Sequence, residues 1–416
     1  MSEAQITEPL DAARAERVWA ALAGLIAPLP PSHVSANDAL NGVLAEPVVT
    51  RHDFPPFDRA MMDGYAVRLD TFRGGAATLR DLGLIRADAG EPAIELRAGE
   101  PTCARINTGA PIPRGAEAVV MVEHAQETPA GVRLTDEPKR GQHIERKGAI
   151  RGGGEVVLDR GARITPGALA TIAAAGQTTV RVHRRAQVRI LTTGDELARP
   201  GADLTHGQIY DSNGVMLREL CIAAGADIAG VGHCDDDPRL LDQTLISALE
   251  AEVVIVAGGM SKGSHDLVPA ALEALGVRWI VRSLDLKPGK PMRIGRSPAG
   301  GWVFGLPGNP VSCAVCFLLF ARMVIDGLHG VASRPPAKLR CAVRQRVPAN
   351  GARPMFHPAR WWIDAEGQPC LEPIDWRGSG DPFGMSTANA LMYRDAHAPA
   401  VWEGEMAEAI IVGTPF

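Results

Sequence analysis

Two kinds of chemically active group recur in the loops between residues 187 and 328. The first is a set of carboxylates: Asp195, Glu196, Asp236 and Asp266. Their hard oxygen atoms suit Mg²⁺, which usually keeps water and substrate phosphates as its other ligands. The second is a set of cations and anion-binding turns: Lys262, Lys287, Lys290, Gly258, Gly259 and Asn309. Together they predict an enzyme that binds a phosphorylated or nucleotide-bearing ligand with Mg²⁺.

A strand precedes each of these loops. "QVRILTTGDEL" and "AEVVIVAGGMSKGSHD" are apolar runs that end in charged or glycine-rich turns. "WVFGLPGNPVSCAVCFLLF" reads as a strand, a tight turn and a helix with Asn309 at the cap and Pro310 at the first helical position. Strands that alternate with helices predict a doubly wound, mostly parallel α/β domain. Ligands bind outside the carboxyl ends of such strands, so we expect the loops to gather at one edge.

Composition excludes several classes of protein. The 416 residues predict three or four domains, and a net charge of -5 gives no general attraction to nucleic acid or to an anionic membrane. The first residues lack the apolar core of a signal peptide, and we predict no run near the ~18 apolar residues of a membrane helix. Seven scattered cysteines indicate a reduced, cytoplasmic protein. Cys313 and Cys316 lie in an apolar helical pattern, which favours a buried face over zinc or redox chemistry.

The remaining patterns predict further domains around the α/β unit. The helix in 211–227 is expected to be capped by Ser212 or Asn213 and closed by Gly225. Three acids at 235–237 precede Pro238, and helix capping alone would explain them. We predict four domains. A discontinuous linking domain comprises 1–50 and 146–185, with an N-terminal helix in 11–28, and an inserted β domain comprises 51–145. The α/β domain follows in 186–332, and a C-terminal β barrel in 333–416.

Other catalytic patterns are missing. The chain has no P-loop and no dinucleotide-binding glycine pattern with its partner acid. No Ser–His or Cys–His pair suggests covalent catalysis. In the inserted domain, the Thr-Gly turn of "INTGAPIPRGAEAVV" offers a hydroxyl and backbone N–H groups for an oxyanion, although an ordinary turn explains it better when the motif is taken alone.

Several of these stretches together resemble one known family. They are "PPFDRAMMDGYAV", "INTGAPIPRGAEAVV", "TTGDEL", "GQIYDSN", "AGGMSKGSHD", "LKPGKP", "GLPGNPVS" and "RGSG" followed by "ANAL". In this order, they resemble the molybdopterin molybdenumtransferase family, called MoeA in bacteria and the E domain of gephyrin in animals. Each stretch alone is a weak signal, whereas the ordered set covers nearly the whole chain and is specific.

The resemblance implies the last step of molybdenum cofactor synthesis. Adenylyl-molybdopterin and molybdate react with Mg²⁺ as cofactor, AMP leaves, and the pterin dithiolene binds molybdenum. It also implies an elongated homodimer of four-domain chains, whose central domain resembles molybdopterin adenylyltransferase. The active cleft would lie between that domain and the second and fourth domains, partly from the partner chain. Two further partners are compatible with the family: molybdopterin adenylyltransferase itself and molybdoenzyme chaperones.

Site residues follow from the matching motifs. The catalytic set implied by the resemblance is Asp63, Thr108, Glu196, Asp236, Asp266, Lys287, Lys290 and Ser379. The implied binding set is Gly258, Gly259, Ser261, Pro307, Gly308, Asn309 and Ser312. Glu196, Asp236 and Asp266 would hold Mg²⁺ and the nucleotide phosphates, and a slip in register would substitute Asp235 or Asp237 for Asp236. The two lysines would neutralise phosphate charge as the bond to AMP breaks, while Asp63 and Thr108 would position molybdate or the pterin.

This chain also departs from the family pattern. Lys262 adds a cation to the glycine loop, Ser283 stands beside Arg282 where a lysine is common, and Pro358 replaces an arginine in "FHPAR". Acids usual near residue 148 are missing. Two alternatives therefore stay open: a binding or scaffold protein on the same fold, which would release no AMP, and an enzyme that prefers tungstate.

Overall fold

The first part of the chain forms paired segments around an insertion. The structure, a computed structural model, describes residues 8–72, 74–88, 90–235, 237–260 and 267–414. Its first elements, and those that follow the insertion, are Ala15–Ala23 (α1), Pro31–Ser35 (β1), Val48–Val49 (β2), Val156–Leu158 (β11), Pro166–Ala174 (α2) and Thr179–His183 (β12). β1 pairs antiparallel with β12, and β2 with β11. The helix predicted for 11–28 is shorter, at nine residues.

The N-terminal segment packs on the α/β core. Val18, Trp19 and Leu22 of α1 are buried in the same apolar cluster as the central strands. The backbone N–H of Ala12 donates to Ser283 Oγ at 2.8 Å. Ser283, one of the departures from the family pattern, therefore fixes the N-terminal segment on the core.

The inserted region is a mixed β domain. Its strands are Arg59–Ala60 (β3), Gly64–Val67 (β4), Ala77–Ile85 (β5), Thr102–Ile106 (β6), Ala118–Met121 (β7), Ala125–Thr128 (β8), Gly131–Leu134 (β9) and Ile144–Glu145 (β10). Six form one sheet in the order β7-β4-β6-β5-β9-β8, and β3 pairs with β10. Gly64 is required in β4, because a Cβ atom there would lie 2.0 Å from the carbonyl oxygen of Val120.

The central region forms the predicted α/β domain. Its strands are Gln187–Thr193 (β13), Leu197–Ala198 (β14), Ile209–Tyr210 (β15), Asp227–Cys234 (β16), Val253–Ala257 (β17), Arg278–Val281 (β18), Arg293–Arg296 (β19) and Trp302–Leu306 (β20). Its helices are Ser212–Ala223 (α3), Pro238–Ala248 (α4), Val268–Ala274 (α5), Pro310–Cys316 (α6) and Arg322–Leu328 (α7), with a π-helical segment at Phe317–Ala321 between the last two. The main sheet runs β16-β13-β17-β20-β19-β18, and its first four strands are parallel.

Helices cover both faces of this sheet, which confirms the doubly wound architecture. Val253 and Ile255 of β17 pack into one cluster with α3 and α6, while Val254 and Val256 pack into a second cluster with α4 and α5. This alternation follows from the two-residue period of a strand. Because both of their faces are buried, the central strands β17 and β20 are apolar throughout.

The cap of α3 corrects one prediction. Asp211 is the N-cap residue, rather than Ser212 or Asn213. Its carboxylate accepts the N–H of Gly214 at 2.9 Å and the hydroxyl of Thr192 at 2.7 Å. Asp, Ser and Asn all suit the N-cap position, and the hydrogen bond from Thr192 of β13 therefore selects Asp211 over Ser212 and Asn213.

The helical stretch from Pro310 to Leu328 corrects a second prediction. An 18-residue window within its 19 residues has a mean hydropathy of 2.0, so the stretch is long and apolar enough to span a membrane. However, 83% of that window is buried inside the protein, as in a core helix. Cys313 and Cys316 are both buried, and burial raises the pKa of each thiol, which supports the packing role predicted for them.

The C-terminal region forms the predicted barrel. Its strands are Lys338–Val343 (β21), Met355–Ile363 (β22), Pro369–Pro373 (β23), Ala390–Arg394 (β24) and Met406–Ile411 (β25). They close in the order β21-β23-β22-β24-β25, with the interior filled by a separate apolar cluster. The barrel contacts the α/β domain through the loops described next.

Candidate functional site

A cavity lies at the switch point of the central sheet. The chain leaves β13 towards β16 on one side, whereas β17 and β20 lie on the other side, so the loops after β13 and β17 diverge. The cavity there has a volume of about 790 Å³. Of the predicted residues, those that line it are Glu196, Gly258, Gly259, Pro307, Gly308 and Asn309. The expectation that strand-end loops gather at one edge is therefore confirmed for these loops.

Two glycines shape the floor of the cavity. Gly258 and Gly259 have φ values of 106° and 61°. A Cβ atom on Gly258 would lie 2.5 Å from the carbonyl oxygen of Thr193, and one on Gly259 would lie 2.7 Å from Val268 Cγ2. Glycine is therefore needed for the chain to turn this tightly beside β13.

The first turn of α3 forms another wall. Asn213 Nδ2 donates to the carbonyl oxygen of Gly308 at 2.7 Å, which ties α3 to the loop after β20. In the described part of the chain, Asn213 Oδ1 and Thr193 Oγ1 are buried and have no hydrogen-bond partner. Neither residue was predicted as a site residue, although Asn213 belongs to "GQIYDSN". Only their missing partners in three dimensions identify them.

The barrel domain closes one side of the cavity. Asn309 is at the predicted cap position, but its side chain makes no capping bond. Instead, Asn309 Nδ2 donates to Ser379 Oγ at 3.0 Å, and the N–H of Val311 donates to the carbonyl oxygen of Ser379 at 3.1 Å. Gly380, Pro382 and Phe383 of the same loop line the cavity. Sequence reasoning therefore placed Ser379 at this site but missed Phe383.

The two predicted lysines lie in the loop that carries Pro291 to the cavity, although neither lysine lines it. Lys287 and Lys290 are exposed in the loop from β18 to β19, and the adjacent Pro291 lines the cavity. The N–H of Lys287 donates to the carbonyl oxygen of Pro354 at 2.8 Å, which joins this loop to the barrel. The backbone around the lysines is thus fixed, while their ammonium groups remain exposed to solvent.

Three other predicted residues lie away from the cavity wall. Ser312 is buried within α6, with 4% of its surface exposed. Asp63 and Thr108 lie in the inserted domain, where the carboxylate of Asp63 accepts the N–H of Thr108 at 2.7 Å. The structure therefore brings Asp63 and Thr108 together, but not into the cavity of the same chain.

Several predicted ligands lie outside the described residues: Ser261, Asp266, Asp236 and the additional cation Lys262. Among the residues that are described, no group of three or more His, Cys, Asp or Glu side chains could hold a metal ion. Asp237 is occupied as the cap of α4, where it accepts the N–H groups of Arg239 and Leu240 at 2.8 and 3.0 Å. Glu196 is exposed at the edge of the cavity.

The chain matches three family models in order. Residues 9–176 match the MoeA N-terminal region, domains I and II. Residues 189–327 match a probable molybdopterin binding domain, and residues 340–412 match the MoeA C-terminal region, domain IV. The order and spacing agree with those of the motifs in the sequence.

Whole-chain comparisons agree with these models. A molybdopterin molybdenumtransferase of Haemophilus influenzae is 34% identical over 358 residues, which cover 85% of this chain and 86% of the relative. One from a Nostoc species is 36% identical over 327 residues, 76% of this chain and 74% of the relative. A crystal structure of a molybdopterin biosynthesis MoeA protein from Pyrococcus horikosii is 28% identical, with a TM-score of 0.82 over 98% of this chain and 100% of that one. This chain therefore belongs to the molybdopterin molybdenumtransferase family of transferases.

Proposed function

We propose that this protein inserts molybdenum into molybdopterin. Adenylyl-molybdopterin and molybdate are the substrates, and molybdenum-molybdopterin and AMP are the products. The observation that carries the proposal is the cavity at the switch point, which gathers Glu196, the glycine turns and Asn309, with Ser379 bonded to Asn309. A cavity of about 790 Å³ falls within the size range of sites that bind small molecules and cofactors.

Mg²⁺ is the proposed cofactor. Glu196 presents a hard oxygen ligand at the cavity edge, which suits Mg²⁺, and Asp236 and Asp266 would complete the set. When bound, Mg²⁺ supplies positive charge to the substrate phosphates. Lys287 and Lys290 would add charge from the adjoining loop and neutralise phosphate charge as the bond to AMP breaks.

The site is completed, in this proposal, by a second chain. Asp63 and Thr108 lie outside the cavity of their own chain, and exposed Phe57, Met61 and Met62 precede Asp63 in the same segment. Exposed apolar side chains of this kind suit contact with another chain. An elongated homodimer would bring this loop to the partner's cavity. The protein would act in the cytoplasm, where molybdopterin adenylyltransferase and molybdoenzyme chaperones would be its further partners.

A reconstituted reaction tests the proposal. Purified protein is mixed with adenylyl-molybdopterin, Mg²⁺ and molybdate, and both AMP release and molybdenum bound to the pterin are measured. We expect chelation of Mg²⁺ to stop the reaction and added Mg²⁺ to restore it. Glu196→Gln should slow AMP release about 100-fold. Glu366→Gln, which changes an exposed carboxylate in a turn of the barrel, is the matched control and should not.

Two results would contradict parts of this scheme. No AMP release by the wild-type dimer would favour a binding or scaffold protein. Full activity of Glu196→Gln would remove that residue from the Mg²⁺ site. The same assay with equal molybdate and tungstate measures which metal is retained, since the two oxyanions have nearly the same size and charge.

A further inference from the structure

The loop that carries Ser379 begins where one strand of the barrel ends. β23 ends at Pro373, and the segment 374–384, here called the Ser379 loop, leads from the barrel to the cavity. Ser379 accepts a hydrogen bond from the Asn309 side chain, and three later residues of the loop line the cavity. The direction in which the chain leaves β23 therefore decides where this part of the site lies.

A proline interrupts the backbone ladder at that point. β22 and β23 pair antiparallel, with Ala359 opposite Pro373. One residue further along, the N–H of Ile374 donates to the carbonyl oxygen of Pro358 at 2.9 Å. Two residues paired in this way normally exchange two hydrogen bonds, but proline has no N–H group to return the second one. The carbonyl oxygen of Ile374 therefore needs another donor.

The side chain of His357 supplies that donor. Its Nε2 lies 2.8 Å from the carbonyl oxygen of Ile374, and because a carbonyl oxygen only accepts, Nε2 carries the proton. The imidazole also contacts the indole of Trp376 in a T-shaped arrangement, with ring centroids 5.4 Å apart. Burial chiefly lowers the pKa of His357, and the positive charge of Lys287 contributes to this, so the imidazole is neutral at neutral pH. One side chain of β22 thus holds two residues of the Ser379 loop.

The residues just before His357 hold the other loop with predicted catalytic residues. The N–H of Lys287 donates to the carbonyl oxygen of Pro354 at 2.8 Å, and the N–H of Phe356 donates to that of Lys287 at 2.9 Å. The Lys287 loop and the Ser379 loop are therefore fixed at neighbouring positions along one strand.

We propose that His357 is a positioning residue for the reaction, because its Nε2–H replaces the backbone N–H that Pro358 lacks and so fixes the Ser379 loop beside the Lys287 loop. The inference rests on the proposed function, in which both loops serve one substrate. His357 does not line the cavity, so it acts through the loop. Pro358 is one of the departures from the family pattern, which makes the His-Pro pair a feature of this chain. Loss of the imidazole N–H would leave the Ile374 carbonyl oxygen without a donor among the described residues.

Three variants of the full-length protein test this hydrogen bond. His357→Phe keeps a ring against Trp376 but removes the donor, whereas His357→Gln keeps an N–H donor of similar reach. His357→Phe combined with Pro358→Ala restores a donor from the backbone. Amide hydrogen exchange, followed by mass spectrometry, reports the opening of the Ser379 loop. We expect His357→Phe to raise exchange in 374–384 about tenfold, and the other two variants to return it close to the wild-type rate.

AMP release from adenylyl-molybdopterin measures the effect on the reaction. Positioning predicts that His357→Phe lowers kcat about tenfold and changes KM less than about twofold. The matched control is His33→Phe, the same change at an exposed position of β1 that does not line the cavity. It should leave both loop exchange and AMP release unchanged. If His357→Phe does not fold, His357→Asn, with a shorter amide side chain, replaces it in the comparison with His357→Gln.

Three results would overturn the inference. Unaltered exchange in His357→Phe would show that the imidazole does not hold the loop. Continued fast exchange after Pro358→Ala is added would show that His357 does not replace a missing backbone donor. Faster exchange with unchanged AMP release would leave His357 with a structural role only. Release by wild-type protein that is unchanged in His357→Phe contradicts only the positioning role, whereas no release by wild-type protein contradicts the insertase itself.

Discussion

Replacement of Gly258 by alanine should damage the cavity floor. The positive φ of 106° is strained for any residue with a Cβ atom, and we assign that strain about 1–2 kcal/mol. The new Cβ atom would also lie 2.5 Å from the carbonyl oxygen and 2.8 Å from Oγ1 of Thr193. Relief of that overlap requires a backbone shift, which costs a further ~1–3 kcal/mol. The expected loss in free energy of unfolding is about 2–5 kcal/mol.

The matched control separates strain from overlap. Gly404 has a φ of 84° and no atom within 4 Å of its ideal Cβ position. Gly404→Ala should therefore show the strain alone. Both variants are unfolded in urea, and AMP release is measured on the folded proteins. We expect Gly258→Ala to lose about 2–5 kcal/mol of stability together with activity, and Gly404→Ala to lose about 1–2 kcal/mol of stability with activity unchanged. Equal effects in the two variants would refute the packing argument.

Three further predictions concern other parts of the molecule. Trp19→Phe removes the indole N–H that donates to the Leu319 carbonyl oxygen at 2.7 Å. Urea unfolding should show that the free energy of unfolding falls by about 1–3 kcal/mol. A fall below about 0.5 kcal/mol, the size of a typical surface change, would contradict the role of this bond. Burial lowers the pKa of His329 to about 4, so between about pH 4 and 6.5 the unfolded chain binds a proton that the folded chain does not. The free energy of unfolding should therefore rise with pH across that window by about 3 kcal/mol. His329→Gln should flatten the rise. Asp63→Ala removes the acceptor for the Thr108 N–H. We expect AMP release to fall about tenfold and the free energy of unfolding to change by about 1 kcal/mol. Unchanged release would show that the Asp63 loop takes no part in the reaction.

Local patterns predicted much of the fold. The apolar runs of β13, β17 and β20 and the proline that opens α6 identify their elements without any distant contact. The glycines after β17 likewise predicted a tight turn, because the positive φ angles found there are rarely adopted by other residues. The motif order likewise identified the family, which the comparisons confirm.

Distant contacts decided what the patterns left open. Asp211 is the cap of α3 because the Thr192 hydroxyl reaches it from a neighbouring strand. The stretch from Pro310 to Leu328 has the composition of a membrane helix, and only its burial among the surrounding elements makes it a core helix.

The sequence by itself determined the strands, the turns and the chemical types of the site residues, because these depend on residues close together in the chain. Tertiary structure decided which of those residues share a cavity. It brought Phe383 of the barrel and Tyr210 of the α/β domain to the wall of one cavity, and it left Asn213 Oδ1 without a partner among the described residues. Neither fact follows from spacing, because the first depends on how two domains pack together and the second on how α3 packs beside the loop after β20.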